Sequence, residues 1–359
     1  MRGVRVRPRA LAAAIAVGVT ALATAAVAAA TATPSGSAQR GAFDKKVAMI
    51  IAQGGLGDKS YNDLANAGLK RAEAKYGFTA QRIQSADIVS QGPAILQQAC
   101  TSGFDLVIDL EFSTSDALQS TAKSCPNTQW TFLNLPLKAS NVTGIVFAEH
   151  EGSYLAGALA ALATQDTSIP GINVQHTIGV IGGTKSTGID KFLVGYVQGA
   201  RAIDPKVKVL VKYSNNFGDP AKGKQITEAM FDQGADIVYQ VAGGTGLGVI
   251  QAAKARHRYA IGVDTDQAYL APKNVLTSMV KRSDLAVYDS VQMLADGTLG
   301  NKVVNLDLKA GGVGLGKVAA SVPKKDVARV NALKTGIISG KIKVWNVIDQ
   351  GYPPWFKKG

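Results

Sequence analysis

Asp264 closes the run Ile261-Gly262-Val263-Asp264, and Lys281 follows the apolar run Val275 to Met279. A carboxylate at the carboxyl end of a strand can accept two hydrogen bonds from neighbouring hydroxyls, as on a sugar, and a nearby ammonium can share that work. Two rings sit on polar turns: Tyr61 in Gly54-Gly55-Leu56-Gly57-Asp58-Lys59-Ser60-Tyr61-Asn62, and Phe217 in Ser214-Asn215-Asn216-Phe217-Gly218-Asp219-Pro220. A flat apolar face in such a place offers a stacking contact. Each has a plainer reading. Asp264 could cap the next helix, although Asp266 suits that role better, and the glycines before Tyr61 could serve only to let Asp58 or Ser60 cap a helix.

Other motifs exclude chemistry. Gly182-Gly183-Thr184-Lys185-Ser186-Thr187-Gly188 looks like a phosphate loop, but its lysine precedes the last glycine, so lysine and hydroxyl are not placed for phosphate and magnesium. Gly243-Gly244-Thr245-Gly246-Leu247-Gly248 lacks the dinucleotide spacing and an acid placed for a ribose. No nucleophile elbow is present, no histidine pairs with an acid at useful spacing, and no acid pair escapes a capping explanation. His150, His176 and His257 are scattered, and two cysteines cannot build a zinc site, so neither metal nor cofactor is expected. This pattern favours binding over catalysis.

The elements that must hold these residues alternate regularly. Strand-length apolar runs are Lys46 to Ile51, Ala80 to Gln84, Leu106 to Leu110, Trp130 to Leu133 and Val142 to Phe147, then Thr177 to Ile181, Lys208 to Tyr213, Ile237 to Val241, Tyr259 to Val263 and Val275 to Met279. Amphipathic helices such as Tyr61 to Tyr76 and Ala221 to Gln233 lie between most of them. Strands that read as continuous apolar runs are buried on both faces, and intervening helices are the crossovers of a parallel sheet. The predicted class is α/β, doubly wound. The pattern occurs twice, joined by an Ala/Gly-rich helix from Glu149 to Thr164, so two lobes with a cleft between them are expected, with ligand beyond the carboxyl ends of the strands.

A length of 359 residues suits two domains, and 46% hydrophobic with 18% charged residues excludes disorder as the main state. The formal charge of +13 is uneven. Arg2, Arg5, Arg7, Arg9 and Arg40 lie in the first 40 residues with no acid, leaving 34 basic against 26 acidic residues in the remainder. No basic cluster is interleaved with aromatics, so no nucleic-acid partner is expected. The four early arginines and the apolar run Ala10 to Thr33 predict an export signal, with cleavage in the small-residue stretch Ala28 to Ala38; the alternative is a membrane anchor. No cysteine follows the run for lipid attachment, so a periplasmic or secreted protein is expected. In an oxidising compartment Cys100 and Cys125, each at the end of a helix on the same sheet edge, could form a disulfide; the alternative is two small buried hydrophobes.

Six segments then occur in one order: Gly57-Asp58-Lys59-Ser60-Tyr61-Asn62, Gly152-Ser153-Tyr154-Leu155-Ala156-Gly157, Gly182-Gly183, Val241-Ala242-Gly243-Gly244-Thr245-Gly246, Gly262-Val263-Asp264-Thr265-Asp266-Gln267 and Thr277-Ser278-Met279-Val280-Lys281-Arg282. Together, over about Lys45 to Val344, they resemble the basic membrane protein family of substrate-binding proteins, the nucleoside-binding receptors of ABC importers. The resemblance implies a type I periplasmic-binding fold of two lobes, acting as a monomer with an ABC permease as partner and no enzymatic activity. It implies the division 1–40 export signal and flexible segment, 41–148 plus about 280–303 lobe one, 149–279 plus about 304–345 lobe two, and 346–359 a tail. By the same resemblance Tyr61 and Phe217 stack on the two faces of a base, Asp264 and Lys281 hold ribose hydroxyls, and Gly243 contributes backbone. Gln53, Asn62 and Asn134 complete the expected ligand set. Two positions depart from the family pattern: Ala52-Gln53 replaces an acid before the first Gly-Gly, and Asn134 stands where members commonly have Asp. Amides both donate and accept, so the base is left open and related heterocycles enter the expected range. A sugar or polyol receptor is the alternative within binding proteins, and a nucleoside hydrolase or lyase using Asp58 or Asp264 the alternative outside them.

Overall fold

The apolar runs become the strands of two sheets. The computed structural model describes residues 43–356, so the predicted export segment lies outside the described residues. In chain order the elements are β1 (Val47–Ile50), α1 (Tyr61–Tyr76), β2 (Gln81–Ile83), α2 (Ile88–Thr101), β3 (Leu106–Asp109), α3 (Ser115–Ser124), β4 (Gln129–Leu133) and β5 (Val142–Phe147). There follow α4 (Glu149–Ala163), β6 (Thr177–Gly182), α5 (Thr187–Ile203), β7 (Lys208–Tyr213), α6 (Pro220–Asp232), β8 (Ala235–Val241), α7 (Gly246–Ala255), β9 (Tyr259–Asp264) and β10 (Val275–Lys281). The chain ends with α8 (Ser283–Ala295), β11 (Lys302–Leu306), β12 (Val313–Leu315), α9 (Lys324–Ile338) and α10 (Val347–Gln350).

The first sheet has the order β11-β5-β4-β3-β1-β2 and is parallel throughout. The second has the order β12-β10-β9-β8-β6-β7 and is parallel except for β12, which runs antiparallel to β10. This is a two-lobed α/β fold of the type I periplasmic-binding class. The chain passes between sheets after β5, after β10 and after β11. α8 belongs with the first lobe: it packs on α1, where Gly68 lets the Asp284 backbone come close, and Asp284 pairs with Arg71 at 2.8 Å.

β11 and β12 have no counterpart in the sequence reading. β11 alternates half-buried and exposed positions at a sheet edge, and β12 has three residues, so neither forms an apolar run. The other departures are end effects; β10, for example, continues through Lys281.

The Ala/Gly composition of α4 has a packing cause. It lies against α5 with backbones nearly touching: a side chain at Gly157 would strike the Tyr196 carbonyl, and one at Gly199 the Tyr154 carbonyl. With neighbours on every side, α4 is buried around most of its circumference and shows no polar face. At the far carboxyl end, residues 346–356 pack against α5: the Tyr352 hydroxyl donates to Asp190 Oδ2 at 2.8 Å, and Arg201 lies over the Trp355 ring.

Cys100 and Cys125 form a disulfide, Cα to Cα 5.8 Å, joining the carboxyl ends of α2 and α3. These ends lead into the amino ends of β3 and β4, at the sheet edge away from the strand carboxyl ends. Among the described residues no helix is long and apolar enough to cross a membrane.

Candidate functional site

A parallel sheet presents all its strand carboxyl ends, and the loops that follow, at one edge. Segments following β1, β3, β4 and β5 of the first sheet and β6, β7 and β8 of the second, with the carboxyl ends of β9 and β10, surround one cavity with about 650 Å³ of unoccupied space, mouth included, a size suited to a small molecule. Gln53, Tyr61, Asn62, Asn134, Phe217, Gly243, Asp264 and Lys281 all line it. They do so in different ways.

Some are engaged in building the turns. Asp58 accepts from the backbone N–H groups of Ser60, Asn62 and Asp63 at 2.9, 2.9 and 3.1 Å, and so serves the orphan donors at the start of α1. Asn62 accepts from Ala52 N at 3.0 Å and donates to the Gln53 carbonyl at 3.2 Å, locking the glycine-rich turn to β1. Gln53 is held by Glu111, its N–H donating to Oε2 at 2.9 Å and its Nε2 to Oε1 at 3.1 Å. With Asp58 occupied at the helix start, Ser60 does not cap; its hydroxyl crosses to the other lobe and donates to Asp264 Oδ2 at 2.6 Å.

Asp264 closes β9 with φ of 66°, a left-handed conformation that Asp tolerates better than most residues. Burial raises its pKa to about 6, opposed by the charge of Lys281 and the Ser60 hydrogen bond. Asp266 takes the capping role, accepting from Ala268 N at 3.2 Å. The plainer reading of Asp264 therefore does not hold.

Lys281, the last residue of β10, donates to Asn134 Oδ1 at 2.6 Å and pairs with Glu149 at 3.0 Å. Its ammonium lies 4.7, 4.9 and 5.6 Å from the ring centres of Tyr61, Phe147 and Phe192, within cation–π range. Asn134, also left-handed at φ 85°, donates its amide to the Tyr61 hydroxyl at 2.9 Å while that hydroxyl donates to the Leu110 carbonyl. Burial pushes the Tyr61 phenol well above its ordinary pKa, so it stays neutral. Tyr61, Asn134 and Lys281 thus form one chain across the cleft.

Phe217 is positioned by glycines. A Cβ at Gly54 would sit 2.8 Å from its carbonyl oxygen, a side chain at Gly183 would overlap its ring, and Gly243 needs φ of 53° beside it. Larger residues there would move the ring.

Sequence reasoning missed Glu149, Glu111, Phe112 and Phe192, which also line the cavity, and Lys191, which pairs with Glu149 at 2.6 Å. Glu149 carried a signal: an acid opening a helix that is otherwise almost wholly apolar has no solvent face to occupy. Lys191 carried none, since a lysine in an amphipathic helix reads as surface. No histidine or cysteine lines the cavity, and the described residues hold no cluster of His, Cys, Asp and Glu suited to a metal ion.

Residues 45–346 match the family described as ABC transporter substrate-binding protein, PnrA-like. The chain is 36% identical over 333 residues to the ABC transporter nucleoside-binding protein BmpA of Lactococcus lactis subsp. cremoris, covering 86% of this chain and 92% of that one. It is 31% identical over 281 residues to an uncharacterised lipoprotein of Pyrococcus abyssi, covering 75% of this chain and 68% of that one. An ABC transporter system solute-binding protein of Aeropyrum pernix K1 shares the fold at TM-score 0.78 and 26% identity, over 84% of this chain and 93% of that one. The two cysteines of this chain, at 100 and 125, are both in the disulfide. The cavity between two sheets, the turns that line it and these relatives agree: the chain belongs to the PnrA-like family of ABC transporter substrate-binding proteins.

Proposed function

We propose that this receptor binds a nucleoside, or a closely related heterocycle bearing a hydroxylated ring, and presents it to an ABC permease. The observation that carries the reading is the composition of one cavity: the rings of Tyr61 and Phe217 line it together with the Asp264 carboxylate and the Lys281 ammonium. A flat base needs ring faces, and a pair of hydroxyls needs charged acceptors and donors. A sugar would leave the two rings with less to do.

In this reading Tyr61 and Phe217 take the two faces of the base, while Asp264 and Lys281 hold the hydroxyls. Lobe closure is the state the permease recognises, and ligand favours it by touching both lobes. Ser60 with Asp264, and Lys59 O with Gln267 Nε2 at 3.0 Å, are interlobe bonds that accompany closure. The receptor acts as a monomer after cleavage of its export signal.

A thermal-shift panel of nucleosides, free bases and sugars tests this, since a ligand that binds only the folded state raises its melting temperature. Stabilisation by nucleosides and not by sugars is expected. A sugar that stabilises while all nucleosides and bases fail overturns the reading.

A further inference from the structure

Lys281 and Glu149 occupy two of the three places where the chain passes between lobes. Glu149 opens α4 directly after the first crossing, Lys281 ends β10 at the second, and their side chains meet at 3.0 Å. The third crossing is tied to the same helix, where Leu308 N donates to Glu151 Oε2 at 3.0 Å. Glu149 is fully buried and carries two cations, Lys191 at 2.6 Å on Oε2 and Lys281 on Oε1. A buried charge persists only when paired, and a carboxylate at the first turn of a helix also gains from the helix dipole. Burial alone would raise the Glu149 pKa, but the two lysines together hold it below the ordinary carboxylate value.

An ammonium has three N–H groups. Lys281 gives one to Asn134 Oδ1 and lies 3.0 Å from Glu149 Oε1 as an ion pair, while the rings of Tyr61, Phe147 and Phe192 lie around it. Lys281 and Asp264 both line the cavity, so an N–H of the ammonium not given to Asn134 is available to a ligand there. Lys191 is buried, does not line the cavity, and pairs with the opposite oxygen of Glu149.

We propose that Glu149 is a positioning residue for ligand recognition: from the interlobe crossover it aims the Lys281 ammonium at the ligand's hydroxyls, while Lys191 only balances charge on its far oxygen. The inference rests on the nucleoside reading for its ligand and on geometry alone for the state of Lys281. Specificity for hydroxylated ligands therefore depends on a carboxylate in the cavity wall that acts through Lys281.

Glu149→Gln leaves two buried ammonium groups sharing no carboxylate and can fail to fold, so the decisive variant is the double substitution Glu149→Gln with Lys191→Met, which keeps the net charge of the cluster. Two readouts are taken on the full chain. The first is the ratio of dissociation constants for adenosine and inosine against their 2′-deoxy and 3′-deoxy forms. Deoxygenation weakens binding to the wild type at least tenfold and to the double variant threefold or less; Lys191→Met alone keeps the wild-type ratio. The second needs no ligand: acetylation of Lys281 by acetic anhydride, followed by mass spectrometry, is at least fivefold faster in the double variant. Unchanged Lys281 reactivity overturns the proposal whatever the ligand is. A retained deoxy ratio in the double variant, or its loss in Lys191→Met alone, also overturns it. Wild-type protein that binds no nucleoside but shows the reactivity change leaves the positioning role standing and removes only the ligand assignment.

Discussion

The hydroxyl of Ser60 donates to Asp264 Oδ2 at 2.6 Å, joining residues 204 positions apart on opposite lobes. Ser60 sits in the turn after β1 of the first sheet and Asp264 at the end of β9 of the second. Asp264 thus accepts an interlobe hydrogen bond and also lines the cavity. Affinity and closure should be linked through this one side chain.

Asp264→Asn separates the charge from the backbone conformation, since Asn also tolerates the left-handed φ. A hydrogen bond to a charged group contributes about 1.5–3 kcal/mol, so a roughly 10- to 100-fold loss of nucleoside affinity is expected. The empty protein should be no less stable, because a buried carboxylate has been replaced by a neutral amide. Calorimetric titration together with a thermal melt checks both; unchanged affinity would remove Asp264 from the site.

Acidification should weaken binding through the same residue. Its folded-state pKa of about 6 exceeds the ordinary carboxylate value of 3.8, so the folded protein takes up this proton first. For stability, this group's contribution is fully present below about pH 4 and is lost as pH rises through about 6. Asp109, at about 7, and Asp236, at about 6, are raised by burial and act with the same sign. For binding, the hydroxyl-accepting form is the carboxylate, so affinity falls by up to about tenfold per pH unit below about 6. Dissociation constants measured from pH 8 to pH 4.5 should show that bend, and Asp264→Asn should abolish it.

Tyr61 has two parts that substitutions separate. Tyr61→Phe keeps the ring and removes the hydroxyl that links Asn134 to the Leu110 carbonyl, whereas Tyr61→Leu removes the aromatic face. Stacking on a base contributes about 1–3 kcal/mol, so Leu should weaken binding roughly tenfold or more and Phe by less. A ring that serves only to fill the core would give equal affinities in fluorescence titration.

Gly183→Ala tests the placement of Phe217, because an added methyl would overlap that ring. The variant should lose affinity much as Phe217→Ala does. Combining the two should add little, since both remove the same contact. Strict additivity in a double-mutant cycle would mean that Gly183 acts by another route.

Reduction of the disulfide should affect stability without affecting binding. Cys100 and Cys125 close a loop of 25 residues, which chain entropy values at about 3.5 kcal/mol. The bond lies at the amino ends of β3 and β4, away from the cavity at the opposite sheet edge. A melting temperature lower by several degrees in reductant, with unchanged nucleoside affinity, is the expected result.

The sequence by itself determined the class of fold and most of the site's address. Strands buried on both faces must be apolar along their whole length, so the eight central strands were legible as runs; of the four edge strands, β2 and β7 were also recognised but β11 and β12 were not. Turns that follow strands must lie at one sheet edge, which is why Tyr61, Phe217, Gly243, Asp264 and Lys281 could be named from local pattern and resemblance. The tertiary structure alone decided which polar groups remain for a ligand. Asn62 and Gln53 were expected as contacts, yet much of their hydrogen-bonding capacity is engaged by Ala52 and Glu111. Ser60 was a capping candidate and is an interlobe donor instead. Glu149 and Lys191 were invisible as a pair because their contact joins two helices, and charge pairing depends on distance in space, which no local spacing encodes.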